Sequence, residues 1–178
     1  MPEEAELVAT EGGLAPGGDG WFVVSARDAA WWRHDVFGLT CGFESREHQF
    51  PQFGINLHVL QPGRPNCMYH GESNQEDFLV LQGECLLLVE GEERRLRAWD
   101  LFHSPPHTEH VFVGAGDGPC LILMVGARRE PEELIYPAAE VARRHDAAVE
   151  RDTPDPRVAY APFSSWEPAP AASLPELA

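Results

Sequence analysis

Between Ile55 and Gly126 the chain is written in short apolar runs of strand length, each closed by glycine or proline, and that punctuation specifies strands joined by tight turns. Ile55, Leu57 and Val59 alternate with Asn56 and His58, so Ile55 to Leu60 is a strand with one apolar face. Phe78 to Leu81 reads as a buried strand ending at Gly83, and Glu84 to Ala98 forms two further runs around Glu90-Gly91. The chain then returns through Asp100 and Pro105 to His110, and the apolar run Cys120 to Gly126 closes the set. These runs predict an all-β antiparallel barrel.

Polar residues of one chemical kind interrupt these runs. His70 and Glu72 lie two apart, so on an extended backbone their side chains leave the same face. Glu76 opens the next strand and His110 lies beyond the hairpin, so four metal-ligand side chains can converge. Two imidazoles and two carboxylates suit one divalent metal ion, Zn, Fe or Mn, with Ni also compatible. Without an ion, Glu72 and Glu76 would be costly to bury ionised; the alternative is that both lie on the solvent side of a charged strand.

The same residues resemble the two motifs of the cupins, a family of small β-barrels. The first motif has a glycine, a His-x-His pair, a glutamate three or four residues on and a glycine after six more; Gly63, Glu76 and Gly83 match. In the second, a glycine-aspartate is followed by a proline six residues after that glycine and a histidine five beyond the proline. Asp100, Pro105 and His110 match, while Trp99 replaces the glycine. A three-residue spacer places the His-x-His pair on His70 and Glu72, whereas a four-residue spacer places it on Tyr69 and Gly71, neither a typical ligand; the first register is preferred. His107 and Gly114 stand where the motif has glycine and asparagine. The resemblance spans about Phe53 to Gly126 and implies a double-stranded β-helix, the cupin jelly roll, with metal ligands His70, Glu72, Glu76 and His110.

The outer parts of the chain read differently. Residues 1–20 are acidic and Gly-rich and read as a flexible leader, followed by the barrel domain over 21–130 with its motifs at 63–83 and 99–114. Within it, Trp21 to Ser25 reads as a strand and Ala26 to Trp32 as a connection. Residues 131–163 form a helical extension, because Ala138 to His145 carries Glu140 early and Arg143 and Arg144 late, in keeping with the helix dipole. Residues 164–178, rich in proline and alanine, read as a disordered tail.

Composition excludes several functions. A formal net charge of -16, with 13 arginines and no lysine, opposes binding to phosphate backbones and removes Schiff-base chemistry. No apolar run approaches a membrane span and no secretory signal is visible, which places the protein in the cytoplasm with no membrane partner. Cys41, Cys85 and Cys120 read as small hydrophobes, while Cys67, three residues before His70, is open to a ligand or redox role. His103 and His107 are further candidates to complete the site, as ligand, general base or orienter, or simply as polar groups at a barrel rim, and Tyr69 and Gln75 are pocket candidates, Gln75 among those that could complete it.

Two functions follow. One is a metalloenzyme acting on a small oxygenated organic molecule, of the dioxygenase, isomerase or decarboxylase class that the resemblance implies, with Glu72 and His107 as candidate catalytic groups. The other is a non-catalytic, metal-dependent binding module. Sheet edges to cover and the aromatic segment with Trp21, Trp31 and Trp32 suggest a homodimer.

Overall fold

The computed structural model describes residues 1 and 3–169, and the chain is built of antiparallel sheets. Its strands are β1 (Leu7–Thr10), β2 (Gly13–Pro16), β3 (Ala30–His34), β4 (Gly38–Gly42), β5 (Phe53–Leu60), β6 (Gly71–Glu72) and β7 (Glu76–Gln82). They continue with β8 (Glu84–Val89), β9 (Glu92–Arg97), β10 (Leu101–Ser104), β11 (His110–Ala115), β12 (Cys120–Ala127), β13 (Leu134–Ile135) and β14 (Glu167–Pro168). Two one-turn helices, α1 (Glu140–Arg143) and α2 (Pro156–Ala159), lie between β13 and β14. A seven-stranded sheet in the order β10-β7-β12-β5-β4-β3-β14 faces a three-stranded sheet in the order β11-β8-β9.

The period-2 pattern explains the layering. Phe78 and Val80 of β7, Ile122 and Met124 of β12, Leu60 of β5, Leu87 of β8 and Phe112 of β11 form one buried cluster between the sheets. Leu57, Val59 and Leu121 point the other way and are covered by Ala29 and Trp31. Tyr69, Val111 and Val113 form the back of the smaller sheet, over which Val141, Ala142 and Ala147 pack. The Glu90-Gly91 turn has φ of 48° and 79°, the left-handed geometry that a two-residue hairpin needs. Gly83 also has positive φ, and a Cβ there would lie 2.4 Å from the Pro119 carbonyl oxygen, so the motif glycine is required by both backbone and neighbour.

The leader is corrected by the structure. Instead of a flexible segment, β1 and β2 form a hairpin, and Leu14 N–H donates to the Asp28 carbonyl at 2.7 Å. The Gly12-Gly13 pair that reads as loose is a close approach, since a Cβ on Gly13 would sit 2.3 Å from the Ala29 carbonyl oxygen. Trp31 and Trp32, expected in a connection, lie within β3, whereas Trp21 to Ser25 makes only an isolated bridge at Trp21. The helix expected over Ala138 to His145 shortens to Glu140–Arg143. Of the expected disordered tail, residues 170–178 lie outside the described residues, and Glu167–Pro168 pairs with β3. No helix among the described residues is long and apolar enough to cross a membrane.

Candidate metal centre

His70 and His110 are neighbours across an antiparallel bridge in which each backbone N–H donates to the other's carbonyl, at 3.1 and 2.8 Å. The exchange puts both side chains on one face, with ring centroids 5.2 Å apart. Glu76, the first residue of β7, faces them from the opposite sheet, and its Oε2 lies 3.3 Å from Nε2 of His110. One ligand atom from each of His70, Glu76 and His110 can be chosen so that all lie within 4.8 Å of one another.

The tautomers of both histidines follow from their partners. Nδ1 of His70 is 2.9 Å from the Met68 carbonyl oxygen, and Nδ1 of His110 is 3.0 Å from that of Thr108. A carbonyl can only accept, so each Nδ1 carries the proton and each Nε2 presents a lone pair. Burial, followed by the neighbouring His110, lowers the pKa of His70 and favours its neutral form. Oε2 of Glu76 is buried without a hydrogen-bond partner, one of two such side-chain atoms among the described residues. A buried carboxylate oxygen with no donor, facing two imidazole lone pairs, is a set of acceptors whose chemistry suits a cation. These residues fit a divalent ion.

Glu72 is not part of this group. It shares the strand face of His70, but two residues of extended chain separate their Cβ atoms by roughly 6.6 Å. Its half-buried carboxyl lies instead near Glu76 and Glu132, and burial, then those two charges, pushes its pKa up to about 8. The expected four-residue set is therefore assembled as three. His107 occupies the exposed turn between β10 and β11 with φ of 68°, and its backbone N–H donates to the Glu72 carbonyl at 2.6 Å. That main-chain contact ties the turn to β6.

The remaining candidates disperse. His103 points outward from β10, with Nδ1 2.6 Å from Asp77, and Gln75 donates to the same carboxylate. Tyr69 packs behind the smaller sheet, where its hydroxyl accepts from Gly91 N–H. Cys67 instead stays beside the group, with Sγ 3.7 Å from Nδ1 of His70, and burial, followed by the charge of Glu76, pushes its thiol up. Cys41, Cys85 and Cys120 are buried free thiols, as small hydrophobes should be.

Two contributors carried no sequence signal. Tyr136 stacks on His70 at 5.7 Å and 29°, from an extension far outside the motifs. Phe102 stands edge-on to His110 at 5.5 Å, as Phe78 does at 5.1 Å, so aromatic rings wall the ligands. Two cavities of about 790 and 800 Å³ lie elsewhere on the molecule, and neither is lined by His70, Glu76 or His110.

A cupin domain model matches residues 56–126, the stretch that carries Glu76, His110 and the strands between them. Among solved structures, the polyketide cyclase RemF from Streptomyces resistomycificus superposes with a TM-score of 0.54 at 17% identity, over 63% of this chain and 83% of that one. A predicted oxalate decarboxylase from Thermotoga maritima gives a TM-score of 0.53 at 17% identity, over 61% of this chain and 100% of the other. A cupin-superfamily sugar phosphate isomerase from Silicibacter pomeroyi is 27% identical with a TM-score of 0.47, over 54% of this chain and 62% of that protein's own length. The sequence matches no curated protein. The motif residues, the two facing sheets and the domain match converge on one conclusion: residues 56–126 form a cupin domain.

Proposed function

We propose that the protein is a metal-dependent enzyme acting on a small oxygenated organic molecule, with one divalent ion held by His70, Glu76 and His110. The observation that carries this reading is the unpartnered, buried Oε2 of Glu76, 3.3 Å from an imidazole nitrogen whose proton is held on the other side of its ring. Two imidazoles and one carboxylate form the donor set of non-haem iron oxygenases and also suit Mn or Zn. Bound there, the ion supplies Lewis-acid polarisation of a substrate oxygen.

The chain's own groups do the rest. The Met68 and Thr108 carbonyls fix the two imidazoles, and Tyr136 covers the outer face of His70. Phe78 and Phe102 keep water from the ligands and restrict the site to a small molecule. Glu72, beside Glu76, is the carboxyl group placed to exchange a proton with that molecule. The dioxygenase, isomerase and decarboxylase classes all use such parts.

Chelating oxygenated metabolites, such as hydroxy-keto compounds, should stabilise the metal-loaded protein and leave the metal-free form unchanged. At a ligand concentration 100 times Kd the gain is about 2.7 kcal/mol, readily seen in thermal melts. A panel in which no chelating ligand moves the melting temperature in any metal form would refute an accessible centre. Where a ligand binds, turnover with and without dioxygen separates oxygenase from isomerase or decarboxylase, and no turnover under either condition leaves a binding module.

A further inference from the structure

Two buried side-chain atoms among the described residues lack a hydrogen-bond partner: Oε2 of Glu76, and Oδ1 of Asn56 two strands away. The surroundings of Asn56 explain why it is open. Its cross-strand neighbours are Met124 of β12 and Gly42 of β4, and neither offers a side-chain donor. Along its own strand Gly54 has no side chain, and the Nε2–H of His58 is spent on the Phe37 carbonyl at 2.6 Å. A buried acceptor left this way costs the fold stability, and its neighbours on the sheet hold no donor to relieve it.

Asn56 and Glu76 share one face of the seven-stranded sheet. Asn56 pairs with Met124, which pairs with Phe78, and the adjoining row runs Gly54, Gly126, Glu76. Met124 and Phe78 belong to the cluster between the sheets, so both rows look into the barrel. Two strand spacings, roughly 10 Å, separate the backbones of β5 and β7. Between them Gly126 contributes no side chain, and a Cβ there would meet only Glu76, at 3.7 Å from its Cγ. The floor from the carboxylate toward the open amide is therefore bare backbone, a span that a small organic molecule can cross.

The chemistry required at the far end follows from the groups beside it. Arg128 lies over Gly54 on this face, its Nη2 2.9 Å from where a Cβ would stand. Glu44 already grips its guanidinium through two hydrogen bonds of 2.7 Å, and a third, of 2.8 Å, goes to the Phe50 carbonyl. Its charge is thus neutralised in place. A carboxylate or phosphate tail would find no free cation in Arg128 and would leave Oδ1 of Asn56 without a donor, whereas an uncharged hydroxyl donates to it directly.

Given the ion proposed above at His70, Glu76 and His110, we infer that Asn56 selects the substrate: a metal-chelating compound with an uncharged hydroxyl at its far end, which donates to Oδ1 across Gly126. Straight-chain hydroxamates of graded length, ending in a hydroxyl, a methyl or a carboxylate, test this by calorimetric titration into the metal-loaded protein. At one chain length the wild type should bind the hydroxyl compound about tenfold or more tighter than the other two. Asn56→Ala should carry as much metal and bind the methyl compound as the wild type does, but lose the preference. Asn56→Asp, which keeps an acceptor oxygen, should retain it. The preference is a ratio within each protein, so a variant that only loosens the barrel weakens all three compounds and leaves the ratio unchanged. No preference for the hydroxyl at any length in the metal-loaded wild type, or a preference that Asn56→Ala preserves, would overturn the role of Asn56 alone. A wild type that binds no metal would overturn the centre, and this role with it.

Discussion

Replacing Glu76 with glutamine is expected to lower metal affinity by more than 100-fold while making the metal-free protein more stable. The two effects have one cause. Oε2 of Glu76 is buried with no donor, and an unsatisfied buried polar atom costs about 1–3 kcal/mol. Glutamine keeps the shape, removes the charge, and can turn an N–H toward Nε2 of His110, 3.3 Å from the present oxygen. The metal-free variant should therefore gain about 1–2 kcal/mol in urea unfolding after chelation. Loss of even an outer residue that supports a metal ligand typically costs 10–100-fold in affinity, and loss of the anionic ligand itself should cost more. Competitive titration with a chromogenic chelator measures that term. A variant that binds metal as tightly as wild type, or that is less stable without it, would show that Glu76 is not held in reserve for a cation.

Acid should weaken the fold well above the range where carboxylates protonate, through His58. This residue lies on the inward side of β5 with Leu60, 5% exposed, and its Nε2–H donates to the Phe37 carbonyl at 2.6 Å. Burial pushes its pKa from 6.5 down to about 4, against the smaller opposing effect of that hydrogen bond. Between those two values the unfolded chain binds a proton at His58 and the folded chain does not, so stability rises with pH across this window. The contribution is fully present above pH 6.5, falls as the pH drops, and is gone by about pH 4, a loss of roughly 3 kcal/mol. His58→Gln retains an N–H donor but cannot titrate, so the difference between wild type and variant in denaturant midpoint should vary between pH 7 and 4.5. Parallel pH profiles for the two proteins would remove His58 as the source.

Which parts of this arrangement were legible in the sequence depended on whether the determinant was local. Gly83, the Glu90-Gly91 turn and the alternation of Ile55, Leu57 and Val59 are backbone or period-2 requirements, and each stands where its residue type demanded. Asp100 is local in the same sense, since its carboxylate accepts the Arg97 N–H at 2.9 Å and closes the turn before β10. Spacing alone could bring His70, Glu76 and His110 together, but it could not measure the reach of Glu72, because sharing a strand face does not make two carboxylates meet. The leader misled because glycine serves two purposes: loose chain and close approach have the same composition, and only the Ala29 carbonyl opposite Gly13 distinguishes them. Tyr136 lies far along the chain from His70, and no periodicity connects the two. Trp99 and His107, both read as departures from glycine, keep glycine's left-handed backbone, so the turns survive the substitutions at a cost in strain.

Metal analysis of protein purified without chelators tests the centre most directly. The wild type should carry close to one divalent ion per chain, Glu72→Gln should retain it, and His110→Ala should lose nearly all of it, because Nε2 of His110 faces Glu76 across 3.3 Å. Metal-free wild type that takes up no ion on titration with Fe, Mn or Zn, or full occupancy in His110→Ala, would contradict a centre built on His70, Glu76 and His110.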